Sequence, residues 1–204
     1  MLDNAKKLFK YKWGGDFFNK LKPSGSEIEV SEPIKKDIKK GALLIYVYII
    51  VNAINSIVMA FNISNNPWVK AANDLAASFG VQTTNVINIQ AITSAIMSAI
   101  ISAVIIFVIV KYLTGDGKRK SVWYFVIIIL TVIGFILLIP TIIGLFALLA
   151  AFGSFYGVAS FALTILAVCI SFIGYTNIAV GCIEFCLEAN KTVSSKDQEK
   201  KQGE

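Results

Sequence analysis

Glu184 is the one carboxylate set inside an otherwise apolar helical stretch of this sequence. A residue so placed can hold a proton or a cation, because burial raises its pKa and only a partner or an ion offsets its desolvation. The side chains able to continue a polar path from it are the amides of Asn52, Asn55 and Asn177. No second intramembrane carboxylate completes a relay, and a competing reading sets Glu184 at a membrane edge close to Lys191. The three thiols are Cys169, Cys182 and Cys186, the last two one helical turn apart on a shared face. Packing is their expected role, with lipid attachment or redox pairing as alternatives. Three thiols at this spacing lack the fourth ligand of a zinc site.

The chain has no histidine, which excludes imidazole acid–base chemistry and histidine-ligated metal or haem. Serines are frequent, but the lysines lie outside the apolar runs, so no base is placed to activate a hydroxyl. The basic stretch "KYLTGDGKRK" has too few glycines and no Gly-Lys-Ser/Thr at phosphate-loop spacing. The expectation is a protein that is not an enzyme, with no catalytic residue, no cofactor and no metal.

The elements that carry these residues are set by composition. Of 204 residues, 56% are hydrophobic and 16% charged, and the mean hydropathy is +0.70, which is the profile of a membrane protein. Lys and Arg fall almost entirely before residue 41, between 111 and 120, and after 190. The net charge of +6 is therefore read as topology signal and anionic-lipid contact, with no nucleic-acid partner expected.

Three regions follow, with a cytoplasmic N-terminal segment over 1–40, a transmembrane helical domain over 41–188 and a polar tail over 189–204. In the first, Leu2, Ala5, Phe9 and Trp13 share a helical face while Lys6, Lys7 and Lys10 lie mostly on another. Lys6, Lys7, Lys10 and Trp13 are expected to touch the lipid surface, as in an interfacial amphipathic helix. Gly14-Gly15 interrupts that helix, and Asp16 is placed to cap a second short turn carrying Phe17, Phe18 and Leu21. Residues 22–33 read as a linker or short extended segment, and "IKKDIKK" marks a cytoplasmic flank.

Spans are expected at about 41–61, 89–112, 122–152 and 158–185, each long enough for a hydrocarbon core that takes about 20 helical residues. Asn52, Asn55 and Ser56 give the first a polar stripe that should face other helices. A short amphipathic helix with Trp68, Ala72, Leu75 and Phe79 is expected between the first two spans. In the second span Ala91, Ala95, Ala99 and Ala103 recur every fourth residue, beside a row of Ser94, Ser98 and Ser102. Such a surface lets another helix approach closely, and it specifies association rather than chemistry.

The apolar run 122–152 poses the main question of topology, because Pro140 interrupts a stretch that as one helix is about 46 Å long. Two crossings need a turn, yet no Asn, Asp, Ser or Lys lies between Thr131 and Thr141 to make one. Four spans place 18 of the 19 Lys and Arg on the cytoplasmic side and only Lys70 outside, whereas five export four tail lysines. The fold class is thus an all-α, polytopic membrane helical bundle with four transmembrane helices, five being the alternative, and short interfacial helices. After the fourth span, the more polar continuation from Tyr175 through Glu184 is expected to emerge along the inner surface.

The function expected is that of a small integral membrane scaffold or assembly subunit that binds other membrane proteins, or itself, through the small-residue face. The alternatives are a transporter or channel component with a polar path, and an accessory subunit holding an enzyme at the membrane. Partners are the bilayer with anionic lipid and another membrane protein or copy. The membrane is a prokaryotic plasma membrane or a eukaryotic internal one, with the N-terminus cytoplasmic.

Overall fold

The computed structural model describes residues 2–11, 14–65, 74–75, 78–79, 84–149 and 155–202. Its elements are α1 (Leu2–Lys10), α2 (Gly15–Leu21), β1 (Glu27–Glu29), α3 (Glu32–Asn65), α4 (Thr84–Thr114), β2 (Lys118–Lys120), α5 (Ser121–Leu149) and α6 (Phe155–Gln202). Among the described residues four helices are long and apolar enough to cross a membrane, over Glu32–Ala60, Gln90–Thr114, Ser121–Ile143 and Val158–Ser195. The chain is an all-α, multi-pass membrane protein of the helical-bundle class.

The long helices follow from local sequence. α3 opens with Ser31 O accepting from Lys35 N, and Pro33 sits in the first turn, where its missing N–H costs no ladder bond. α4 contains neither Gly nor Pro over its 31 residues and ends at Gly115-Asp116-Gly117. Gly117 takes φ +93°, a left-handed conformation that glycine adopts without strain, and this sets the chain into β2.

α5 runs unbroken through Pro140. The five-span arrangement, which requires a reversal there, is not formed. One missing N–H disturbs a single rung of the helix, whereas a turn without polar side chains would leave several backbone groups unpaired in hydrocarbon.

The chain divides into two compact units. One comprises Met1–Ile45, Ile106–Leu137 and Ser171–Glu204. Its core is Leu21, Val30, Ile34, Ile38, Leu113, Tyr124, Ile128, Cys182, Ile183, Phe185 and Cys186. Ile34 and Ile38, four apart on α3, meet the second half of α6. The Tyr124 ring stacks on Phe185 with centroids 3.7 Å apart, and its hydroxyl donates to Leu113 O. The portion of α6 expected to emerge along the surface is instead the buried centre of this unit, with Val180, Cys182, Phe185, Cys186 and Ala189 all fully enclosed. Small side chains at 174, 179, 181, 182, 186 and 189 let neighbouring elements close around it.

α3 and α6 approach closely at Gly41 and Gly174. A Cβ added at Gly41 would lie 2.7 Å from Gly174 O, and one at Gly174 would lie 2.7 Å from Ile45 Cδ1. Gly41 is therefore required by the approach of the α6 backbone, and Gly174 by the Ile45 side chain packed on it.

Of the two readings of residues 22–33, linker or short extended segment, the extended one is formed at Glu27–Glu29. β1 pairs antiparallel with β2 in the register Glu27↔Lys120, Ile28↔Arg119, Glu29↔Lys118, so acids face bases across the ribbon. Lys120 and Glu27 lie 3.7 Å apart. The cap of α2 also differs from expectation. Gly14 O accepts from the backbone N–H groups of Phe17 and Phe18, Gly14 occupies the cap position, and Asp16 sits inside the first turn.

The second unit comprises Tyr46–Ile105 and Leu138–Ile170. A three-residue hydrogen-bond network ties α3 to α6 within it. Asn55 Nδ2 donates to Thr164 Oγ1 at 2.9 Å, Ser160 Oγ donates to Asn55 Oδ1 at 2.6 Å, and Thr164 Oγ1 donates to Ser160 O at 2.8 Å.

Candidate functional site

The second unit holds a cleft of about 270 Å³ between α3 and α4, lined by Tyr48, Ile49, Asn52, Ala53 and Ser56 on one side and Ala95, Ser98, Ala99 and Ser102 on the other. These are the polar stripe of the first span and the small-residue face of the second. The α-helical repeat aligns Asn52 with Ser56 and Ser98 with Ser102, four residues apart in each case.

Ser56 Oγ donates to Asn52 O at 3.0 Å within its own helix. The Asn52 side-chain amide has no hydrogen-bond partner among the described residues. Asn52 thus lines the cleft with an unpartnered amide, within a helix long and apolar enough to cross a membrane. In hydrocarbon such groups are stabilised only by a partner able to hydrogen-bond.

Of the remaining small residues, Ala91 and Ser94 are exposed and Ala103 is half-buried. From Gln90 to Tyr112 no residue of α4 is buried, whereas α6 buries Ala167, Ala179, Val180 and Cys182 among others. Ile96, Met97, Ile100, Ile101, Val104 and Ile105 stand exposed around this helix. α4 thus presents a mixed surface, with small side chains toward the cleft and large aliphatic ones elsewhere.

The other polar residues expected on a path have partners inside the chain. Asn55 belongs to the network described above. Asn177 and Glu184 lie in the first unit, where α1 docks on α6. Asn4 Nδ2 donates to Asn177 Oδ1 at 2.8 Å, and Asn177 Nδ2 donates to Ile173 O at 2.7 Å. Lys7 Nζ meets Glu184 Oε1 at 2.9 Å. That hydrogen bond, the carboxylate's charge and Asp37 raise the Lys7 pKa above its ordinary value, against an opposing effect of burial. The half-buried Tyr11 phenol is likewise raised, first by burial and then by the Glu184 charge.

Asn4, Lys7, Leu8 and Tyr11, spaced three or four apart, are accordingly the face α1 turns to the protein. Phe9 is left 78% exposed, and Lys6 and Lys10 are exposed as well. Trp13 lies outside the described residues, as do Trp68, Lys70 and Ala72 of the expected outer helix, of which Leu75 and Phe79 are exposed.

The thiols of Cys182 and Cys186 are buried and that of Cys169 is exposed. Cys186 Sγ lies 3.8 Å from Ser121 O, a weak donor contact in a packed core. Sequence reasoning missed the glycine contact between α3 and α6, because Gly41 there marks only the start of an apolar run. Its signal would have been the small residues at 174 and 181 on one face of α6.

No known protein family matches the chain, and no curated protein or solved structure matches it significantly.

Proposed function

We propose that this chain is a non-catalytic assembly subunit of a membrane complex, which binds another membrane protein or a further copy of itself through the small-residue face of α4. The observation that supports this reading is the cleft between α3 and α4, lined by the unpartnered Asn52 and by the serine row of a helix with no buried residue from Gln90 to Tyr112. A partner helix carrying a hydrogen-bonding side chain would satisfy the amide and gain van der Waals contact with Ala95 and Ala99 that lipid supplies less well. The absence of histidine, the exclusion of lysine from the apolar runs and the pairing of Glu184 with Lys7 argue against catalysis by the chain itself. The same reading sets the basic ends of the spans, with the N-terminus among them, on the cytoplasmic side.

The experiment is sedimentation of the detergent-solubilised chain, alone and with co-purified partners, for wild type and for the double variant Ala95→Leu/Ala99→Leu. The variant should lose most of the assembled fraction, because two isobutyl groups fill the cleft and hold a partner helix away. An unchanged assembled fraction would eliminate this face as the contact.

A second reading is favoured by the polar lining of the cleft, which in an oligomer would border a solute path. Against it, Asn55 and Glu184 are each engaged by a partner within the chain. Flux of small neutral solutes into liposomes containing the purified chain, abolished by Asn52→Leu, would support transport over assembly. Stable co-purification of one enzyme would make the subunit an accessory of that enzyme.

A further inference from the structure

We propose that the furrow between the end of α4 and the start of α5 holds one acyl chain of an anionic phospholipid, whose phosphate rests on Arg119 and Lys111. This goes beyond the assembly reading and lies in the first unit, on residues that the α4 small-residue face does not use.

The furrow has a volume of about 330 Å³ and is lined by Val108, Ile109, Tyr112, Leu113 on α4 and Trp123, Val126, Ile127, Leu130 on α5. Its walls carry no polar surface. From Trp123 to Leu130 it extends along α5 for about 10 Å at the α-helical rise, the length of a partly embedded acyl chain. Val108, Trp123 and Leu130 are each more than half exposed, so the furrow opens outward from the α4–α5 hairpin.

At one end stands an aromatic pair, Tyr112 against Trp123, with centroids 6.0 Å apart and near-perpendicular rings. Such rings favour the depth where acyl chains give way to headgroups. The Arg119 guanidinium sits 4.8 Å from the Tyr112 centroid, and Lys111 follows one residue before Tyr112 in the last turn of α4.

Charge complementarity selects the occupant. Four cations cluster in residues 111–120. Lys120 is paired with Glu27 and Lys118 stands opposite Glu29 in the ribbon. Arg119 and Lys111 have no carboxylate partner among the described residues. Arg119 Nη2 donates only to the backbone, at Asp116 O. Arg119 therefore stands uncompensated on the Tyr112 ring that lines the furrow, and Lys111, whose ammonium lies 6.0 Å from the Phe107 ring, is the second uncompensated cation of the same helix end. A zwitterionic lipid brings a counter-charge with its phosphate, whereas an anionic one supplies the missing negative charge.

In a bilayer every apolar surface touches tails, so the preference must come from the headgroup, while the furrow contributes retention. The test is native mass spectrometry of the full chain in detergent, with phosphatidylglycerol and phosphatidylcholine of identical tails added in turn. Phosphatidylglycerol should be retained in preference to phosphatidylcholine. Lys111→Gln and Arg119→Gln should each lower that preference about fivefold, the effect of one basic residue near a membrane surface. Val126→Phe, which fills the furrow from an outward-facing position, should reduce retention of both lipids.

Glycerol 3-phosphate, which has the anion and no tail, should fail to displace bound lipid. Equal retention of the two lipids, wild-type behaviour of Lys111→Gln, or full displacement by glycerol 3-phosphate would each overturn the proposal. Lys111 is exposed and Val126 faces outward, so neither variant disturbs the core, and the test stands even where Arg119→Gln loosens the ribbon.

Discussion

At Gly41 the packing of α3 on α6 is a constraint on single atoms. A methyl group at Gly41 meets both the Gly174 carbonyl and the Ile178 backbone nitrogen, at 2.7 and 2.9 Å. Backbone cannot move aside as a flexible side chain does. Gly41→Ala should therefore destabilise the first unit by about 1–3 kcal/mol, the usual range for overpacking. Thermal unfolding in detergent checks this, and Gly14→Ala, where a Cβ meets nothing, is the control expected to shift the midpoint little. The sequence announces the alanine and serine rows of α4 through their strict repeat. It hides Gly41, whose significance depends on a residue more than a hundred positions away. Glu184 is a similar case: its type drew attention to it, while Lys7, its partner, lies 177 residues distant.

At the scale of elements, α1 is held to α6 by Asn4 on Asn177 and Lys7 on Glu184, with Leu8 packed on the core. Both side chains of the ion pair are partly exposed, so it contributes at most about 1 kcal/mol. Because the folded state raises the Lys7 pKa, its contribution is complete below the unfolded value near 10.4 and is lost as pH climbs through the folded one. Tyr11 and Asp37 are the other titratable groups acting on Lys7 there. A spin label at Phe9→Cys, on the exposed side of α1, should keep constant mobility from neutral pH to about pH 10 and become more mobile above it. Asn4→Ala/Glu184→Gln should raise the mobility already at neutral pH, and an unaltered spectrum would mean that Leu8 and Tyr11 hold the helix by themselves.

The long helices were readable from apolar length, and their ends from Gly-Asp-Gly and from the lysine flanks. The ribbon was not. Two three-residue strands carry no usable periodicity, and the match of "EIE" to "KRK" has meaning only once α3, α4 and α5 have brought them together. The second half of α6 is buried against expectation, because Thr176 and Asn177 are residue types common at surfaces. Each instead donates to the main chain one turn back, Thr176 to Phe172 O and Asn177 to Ile173 O, which makes their burial inexpensive.

At the scale of the whole molecule, the distribution of charge and the division into units agree. The unit formed by Met1–Ile45, Ile106–Leu137 and Ser171–Glu204 contains every Lys and Arg except Lys70. It gathers both ends of the chain and the basic turn, as an even number of crossings requires. With α5 passing unbroken through Pro140, four helices of spanning length stand among the described residues. The most direct measurement is the accessibility of single cysteines from each face of the membrane, introduced at Ser78, Lys118 and Ser195 in a protein whose own cysteines are replaced by alanine. All three positions are exposed. Labelling of Lys118→Cys and Ser195→Cys from one face and of Ser78→Cys from the other is the predicted result. Labelling of Ser195→Cys from the face opposite Lys118→Cys would contradict the four-crossing arrangement and, with it, the placing of the basic unit on one side.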